Sequence, residues 1–191
     1  IIINQLIYME RCLILDFDDT LVSTIDTHAN SWKLAIERVL NRDIPIETIM
    51  SDINYGMDVL LKKYQLTEAE TKLAQDYKRE IFSNNLYKTK VNQLLLWIVK
   101  HSNFEKIIIA SNSSRENVDR IMSYHNISSE LFNMIITRDD VLNKKPHSDM
   151  ADLIFKTYPK YKPNDFLMVG DSEVDSTFAL KNKMKCILVK F

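Results

Sequence analysis

The sequence predicts an α/β fold built on a parallel sheet, and two observations support that prediction. Short apolar runs rich in β-branched residues recur along the chain: CLIL at 12–15, KIIIA at 106–110, FLMV at 166–169, CILV at 186–189 and a weaker MIIT at 134–137. Such continuous runs are typical of strands buried on both faces of a sheet. Helix-like segments lie between them, including 114–125 and 147–158. This alternation indicates an α/β fold with right-handed crossovers.

One interval interrupts the alternation. Between Thr24 and about Tyr87 the sequence contains no convincing strand. Apolar residues at helical spacing occur there instead, in stretches at 28–40, 55–64 and 68–82, and Thr67 suits the N-cap of the last stretch. A segment of about 60 residues is too long for an ordinary connecting loop. We therefore predict a helical insertion after the first strand.

These patterns divide the chain into parts. We expect a core domain made of residues 9–22 and 89–191, and an inserted helical domain made of residues 23–88. Residues 1–8 are expected to be a non-native or disordered lead, with translation beginning at Met9, because MERCLILDFDD reads as a natural opening. The start, IIINQLIY, has neither a basic n-region nor a small-residue cleavage site, so it is not interpreted as a signal peptide.

Composition narrows the functions that are possible. The chain has 191 residues, 46% of them hydrophobic, and a formal net charge of −1. The balanced charge gives no electrostatic reason to expect nucleic acid or an anionic membrane as a partner. Cys12 and Cys186 lie in apolar runs and are expected to be free thiols of a cytoplasmic protein rather than a disulfide or metal pair. A monomer is the default expectation.

Polar residues follow the predicted strands at the end where open α/β sheets bind their ligands. They are Asp16, Asp18 and Thr20, Ser111 and Asn112, Lys145, and Asp171 and Asp175. Each piece by itself is an ordinary turn, helix cap or loop. Crowded carboxylates repel one another, so this many acids on one rim indicate a divalent cation. The combination, in this order and each at a strand end, is what carries the prediction.

The same motifs resemble those of a known family. DFDDTL at 16–21 is similar to the D-x-D-x-T-L signature of the haloacid dehalogenase (HAD) superfamily, and the serine of IIIASN to its second motif. KKPHSD supplies a third-motif lysine, best placed at Lys145, and GDSEVD an acidic fourth motif. The resemblance covers nearly everything from Met9 to Phe191 and is strongest to the phosphatases with a helical cap, phosphoglycolate phosphatase and its relatives among them. It implies a Rossmann-like core with a parallel sheet and an inserted helical cap domain.

The resemblance also implies a metal site. Asp16 would be the nucleophile and a metal ligand, and Asp18 would be the general acid/base and offer its backbone carbonyl to the metal. Asp171 would be a side-chain ligand, and Asp175 would support the ligands or become a ligand in some states. Thr20 would support the loop or position Asp18 through a hydrogen bond from its hydroxyl. Oxygen ligands without histidine or cysteine suit a hard cation, so the implied cofactor is Mg²⁺.

The remaining motif residues are expected to handle the phosphate. Ser111, the backbone N–H of Asn112 and the catalytic Lys145 would bind the transferring phosphoryl group. Asp19 stands where the family usually has glycine, and we expect it to be structural because strand alternation turns it away from the metal.

The leading functional hypothesis is a Mg²⁺-dependent phosphatase that hydrolyses a phosphate monoester of a small soluble metabolite through an aspartyl-phosphate. A sugar-phosphate mutase on the same scaffold is an alternative, although the stretch YGMDVLLKKY offers no arginine. A non-catalytic binding module is a further alternative, although every catalytic position is occupied. A dehalogenase is disfavoured, because such enzymes lack the second acid that Asp18 supplies.

Overall fold

The computed structural model describes residues 11–53 and 62–191 of the chain. The expectations about residues 1–8 and Met9, and most of the helix predicted over 55–64, lie outside the described residues. By internal contacts the chain forms two compact units. One contains Val91–Phe191 together with the described residues up to Ser23, and the other is Thr24–Lys90.

The order of elements follows the predicted alternation. The strands are β1 (Cys12–Leu15), β2 (Val22–Ser23), β3 (Lys90–Val91), β4 (Lys106–Ala110), β5 (Met134–Ile136), β6 (Phe166–Gly170) and β7 (Lys185–Leu188). The helices named below are α1 (Ile25–Leu40), α2 (Ile46–Ile53), α3 (Glu68–Asn84), α4 (Gln93–His101), α5 (Arg115–Tyr124), α6 (Asp149–Thr157) and α7 (Glu173–Lys181). The five strands predicted from apolar runs are confirmed, with differences of at most one residue at their ends.

The first unit is built on a five-stranded sheet with the order β5-β4-β1-β6-β7. All neighbouring strands in it are parallel, so their carboxyl ends meet at one edge. Every residue of β1 is buried, as expected for the central strand of a sheet covered on both faces. One face of this sheet packs against α6 and α7, with Ile154 and Phe178 buried among the side chains of the central strands. This packing holds in place the strands whose carboxyl ends form that edge.

The second unit is helical in the part that the structure describes. The predicted N-cap at Thr67 is confirmed: its hydroxyl accepts from the backbone N–H of Glu70, and the Glu70 carboxylate accepts from the backbone N–H of Thr67. Trp32 of α1 is buried in this unit's apolar core. His28 stacks on Phe82 of α3 at 4.2 Å between ring centroids, so this histidine helps to pack α1 against α3.

The two cysteines are free thiols, as expected. Cys12 is a buried free thiol and Cys186 a half-buried one. Among the described residues, none of the helices combines the length and the apolar character that a membrane crossing requires.

The short strands β2 and β3 were not predicted. They pair with each other as a two-stranded sheet, separate from the main sheet.

Candidate active site

The acidic residues converge because of the strand order. β1 lies between β4 and β6, so the residues that follow these three strands meet at the carboxyl edge. The backbone N–H of Asp16 donates to the carbonyl of Val169 at 2.9 Å, which extends the pairing of β1 with β6 by one residue. The backbone N–H of Ser111 donates to the carbonyl of Ile136 at 2.9 Å, which does the same between β4 and β5. The first residues of the site are therefore held by the sheet itself.

Lys145 lies between two buried carboxylates. Its Nζ is 2.7 Å from Asp16 Oδ1 and 2.6 Å from Asp175 Oδ1. The side chains of Lys145 and Asp175 are 1% and 2% exposed, and that of Asp16 is 10% exposed. Burial raises the pKa of Asp16 to about 7, a rise that Lys145 opposes and Asp175 reinforces. Burial alone would lower the pKa of Lys145, but Asp16 and Asp175 outweigh it and hold the ammonium charged.

Three carboxylates form a cluster that could hold a metal ion. Ligand oxygens of Asp16, Asp171 and Asp175 all lie within 4.8 Å of one another. Burial, followed by the charges of Asp175 and Asp19, raises the pKa of Asp171 to about 6. Three acids face one ammonium, so the cluster has an excess of negative charge that a divalent cation would offset. An all-oxygen donor set fits Mg²⁺ or another hard cation.

Asp175 is held from two sides. Its Oδ1 accepts from Lys145, while its Oδ2 accepts from the hydroxyl and the backbone N–H of Ser172 in the capping box that begins α7. Both oxygens therefore already have donors within the protein. This arrangement agrees with the expected supporting position of Asp175, which stays a prediction.

Gly170 at the end of β6 leaves the space that Asp175 occupies. A Cβ added at Gly170 would lie 2.4 Å from the Cβ, Cγ and Oδ2 atoms of Asp175, far inside van der Waals contact. We therefore expect Gly170→Ala to displace Asp175 and to lower the free energy of unfolding by about 1–3 kcal/mol, measured by urea denaturation. In an Asp175→Gly background the same substitution should cost less, because all three clashing side-chain atoms are absent. Equal costs in the two backgrounds would contradict this origin.

Thr20 bridges two of the acids. Its fully buried hydroxyl lies 3.1 Å from Asp16 Oδ2 and 3.4 Å from Asp171 Oδ1. The hydroxyl of Thr20 therefore contacts both predicted side-chain ligands, which the sequence did not predict, whereas the predicted bond to Asp18 stays a prediction. The assigned roles of all three residues stay predictions.

The conformation of Asp19 is explained by a turn rather than by the strand alternation that was expected. β1 ends at Leu15, so strand alternation does not govern the direction of Asp19, and its backbone has a φ of 57°. This left-handed conformation costs little for glycine and is tolerated by aspartate, which accounts for the exchange of one for the other at this turn. The turn is closed by a hydrogen bond of 2.7 Å from the N–H of Asp19 to the carbonyl of Val22.

Two serines after β4 contact Asp18. Ser111 Oγ lies 3.4 Å from Asp18 Oδ2, and Ser113 Oγ donates to the same oxygen at 2.6 Å. Sequence reasoning identified Ser111 but missed Ser113. The available signal was the run SNSS directly after the strand, which places a second hydroxyl at Ser113, two residues after Ser111.

Asn112 holds the backbone of Lys145. Its Oδ1 accepts from the N–H of Lys145 at 2.9 Å, and its Nδ2 donates to the carbonyl of Lys145 at 3.0 Å. The following peptide bond, Lys145-Pro146, is cis. The side chain of Asn112 thus fixes the loop that carries the buried ammonium. The predicted contact of its backbone N–H with phosphate stays a prediction.

The fold and the site together define a protein of the α/β class whose acidic centre lies at the carboxyl edge of a parallel sheet. A family model described as haloacid dehalogenase-like hydrolase matches residues 13–189, a range that includes the whole site. The chain therefore belongs to the haloacid dehalogenase-like hydrolase family, as the motifs predicted.

Two curated relatives agree with that assignment, and a solved structure shares the fold. The chain is 30% identical over 193 residues to the phosphoglycolate phosphatase of Photorhabdus laumondii, covering 93% of this chain and 79% of the relative. It is 24% identical over 184 residues to the bifunctional riboflavin kinase/FMN phosphatase of Arabidopsis thaliana, covering 88% of this chain but only 45% of that protein. A crystal structure of a predicted phosphoglycolate phosphatase from Haemophilus somnus has a TM-score of 0.80 at 22% identity, with 94% of this chain and 85% of that one covered.

Proposed function

We propose that the protein is a Mg²⁺-dependent phosphatase that hydrolyses phosphate monoesters of small metabolites. The observation that carries the proposal is the pairing of a buried ammonium with the first of two aspartates: Lys145 contacts Asp16 at 2.7 Å, while Asp18 lies among serine hydroxyls. One motif thus offers two carboxylates in different environments, which can take different roles. Two curated relatives carry phosphatase in their names, which supports the same reaction.

The proposed metal ligands are Asp16, Asp171 and the backbone carbonyl of Asp18. Asp175 joins the ammonium of Lys145 to the capping box at Ser172 and is proposed to orient the site. When bound, Mg²⁺ would offset the charge of the phosphoryl oxygens, which otherwise repel an anionic nucleophile.

The first chemical step is proposed to start at Asp16. A carboxylate oxygen of Asp16 attacks phosphorus, the bond from phosphorus to the ester oxygen breaks, and that oxygen takes its proton from Asp18. The ammonium of Lys145 and the hydroxyl of Ser111 stabilise the charge on the transferring group. The products are the free alcohol and an aspartyl-phosphate on Asp16.

The second step returns the enzyme to its starting state. Asp18, now a carboxylate, takes a proton from a water molecule, whose oxygen attacks phosphorus while the bond to Asp16 breaks. Inorganic phosphate leaves. The helical unit Thr24–Lys90 is proposed to select the leaving group, the role that the family resemblance implies for a cap.

The direct test is release of inorganic phosphate from 4-nitrophenyl phosphate and from a panel of phosphorylated metabolites. We expect release in the presence of Mg²⁺ and its loss in excess EDTA. The wild-type protein would have to release no phosphate from any ester, with Mg²⁺ present, for the proposal to fail. Transfer to a second position of a sugar phosphate without net release would favour the mutase alternative.

Metal binding can be tested without activity. We expect Mg²⁺ to raise the melting temperature of the wild-type protein, and Asp171→Asn to remove that rise, because it replaces a ligand carboxylate by an amide. Excess EDTA should reverse the rise in the wild type. An undiminished response to Mg²⁺ in the variant would place the ion elsewhere.

Without metal, Asp171→Asn should be more stable than the wild-type protein at pH 7. Burial and neighbouring acids raise the folded-state pKa of Asp171 to about 6, so its ionisation disfavours the folded state. A raised carboxyl pKa means that this cost is absent below about pH 4 and grows as the pH rises towards 6. Since the side chain is partly exposed, we expect Asp171→Asn to stabilise the metal-free protein by on the order of 1 kcal/mol at pH 7. The difference should vanish at pH 4 in parallel urea titrations.

A further inference from the structure

We infer that Ser113 is a positioning residue, which holds the carboxylate of Asp18 where it can exchange protons with the leaving group and with water. The inference rests on the proposed function of Asp18 and assigns a residue that no motif covers. Its central observation is the hydrogen bond of 2.6 Å from Ser113 Oγ to Asp18 Oδ2. That length is typical of a hydroxyl that donates to a charged carboxylate, which is stronger than a bond between neutral groups.

The hydroxyl of Ser113 is presented from a backbone that is fixed on both sides. The N–H of Ser113 donates to Ser111 Oγ at 3.0 Å, and its carbonyl accepts from the N–H of Arg138 at 3.1 Å. Such a backbone leaves the Ser113 side chain little freedom other than rotation about one bond. Because the fold already orders the Ser113 hydroxyl, its hydrogen bond to Asp18 loses little further conformational entropy.

Ser113 also sets the direction of the neighbouring hydroxyl. Because Ser111 Oγ accepts the N–H of Ser113, its own proton is available to an acceptor in the site. Asp18 Oδ2 lies 3.4 Å from that oxygen, a long contact, whereas a phosphoryl oxygen is the acceptor that the mechanism supplies. Ser113 therefore acts on two side chains: its N–H orients the hydroxyl of Ser111, and its own hydroxyl orients Asp18.

Helix capping does not account for Ser113. The N-cap of α5 is the next residue, Ser114, whose side chain accepts from the backbone N–H of Asn117. The hydroxyl of Thr20 lies against Asp16 and Asp171 instead, at 3.1 and 3.4 Å. Ser113 donates to Asp18 from the segment that follows β4, the strand beside β1 in the sheet.

The test compares Ser113→Ala with Ser113→Thr and with the matched control Ser114→Ala. Ser113→Ala keeps the N–H that orients Ser111 and removes only the hydroxyl on Asp18. With an alkyl phosphate, whose leaving group needs a proton, we expect kcat to fall about tenfold, the scale of one hydrogen bond to a charged group. Ser113→Thr should restore most of the rate because it restores the hydroxyl. Ser114→Ala should lower the melting temperature slightly and leave kcat near the wild-type value.

The leaving group separates positioning from a merely structural effect. With 4-nitrophenyl phosphate, whose leaving group needs no proton, the first step in Ser113→Ala should stay near the wild-type rate in rapid-quench experiments, while the later hydrolysis slows. A burst of 4-nitrophenol should then precede a slower steady state. Equal losses in the rate of the first step for both esters, or a wild-type turnover of the alkyl phosphate, would overturn the inference for Ser113 alone. A wild-type protein inactive with both esters and with the whole panel of phosphorylated metabolites would instead overturn the proposed function.

Discussion

Asp16→Asn should abolish phosphate release altogether while leaving the protein folded. The amide cannot form the aspartyl-phosphate, and its oxygen can still accept from Lys145, which keeps Asp175 as a second partner. Burial already disfavours the charge on Asp16, since it raises the pKa of this carboxyl to about 7. Loss of the charge should therefore cost little stability in a urea titration. Hydrolysis of an alkyl phosphate by Asp16→Asn at nearly the wild-type rate would overturn the proposed mechanism.

Asp18→Asn is the matched partner of that variant. It keeps the nucleophile, the backbone carbonyl and an oxygen that can accept from Ser113, but it loses proton transfer in both steps. General acid–base catalysis is typically worth about 10²–10⁴-fold, so turnover of an alkyl phosphate should fall by that order. With 4-nitrophenyl phosphate the first step should suffer less than the second. Phosphate should then accumulate on Asp16, as detected by rapid quench and intact mass, whereas Asp16→Asn should carry none.

Lys145→Met should produce the largest combined loss of stability and activity. It removes the ammonium that lies 2.7 Å from Asp16 and 2.6 Å from Asp175 and leaves two buried carboxylates without their common cation. Removing one partner of a buried ion pair typically costs about 3–5 kcal/mol. The loss of charge stabilisation on the phosphoryl group should reduce kcat by about 10²–10³-fold as well. Chemical denaturation and steady-state kinetics at pH 7 measure the two effects.

The control for Lys145→Met is Lys144→Met, which changes an exposed lysine one residue earlier. We expect that variant to keep both the stability and the kcat of the wild type, as surface substitutions usually do. Lowering the pH towards 5 should restore part of the stability of Lys145→Met, because protonation removes the buried negative charge that has lost its cation. Equal stability of Lys145→Met and Lys144→Met at pH 7 would contradict the predicted contribution of the buried ion pair to the free energy of unfolding.

The strands and the order of the site residues follow from local rules. KIIIA at 106–110 forms β4 over the same residues, because a continuous β-branched run can be buried on both faces only inside a sheet. Thr67 and Glu70 form the expected capping box, since its hydrogen bonds join residues three positions apart. The helix α2 (Ile46–Ile53) was missed, because eight residues after Pro45 are too few for a clear period.

By itself, the sequence determined the α/β class, the strands, and the acids, serine and lysine that stand at their ends. Only the tertiary structure decided which donor serves which acid. Ser113 and Asp18 are 95 positions apart, and Asn112 and Lys145 are 33 apart, so no local period or motif relates them. The first pairing depends on β4 lying beside β1, and the second on β4 lying beside β5, the strand that precedes Lys145. A hydrogen bond requires a placement within a few tenths of an ångström. Strand order and packing set that distance, which is why Thr20 contacts Asp16 and Asp171 while Ser113 holds Asp18.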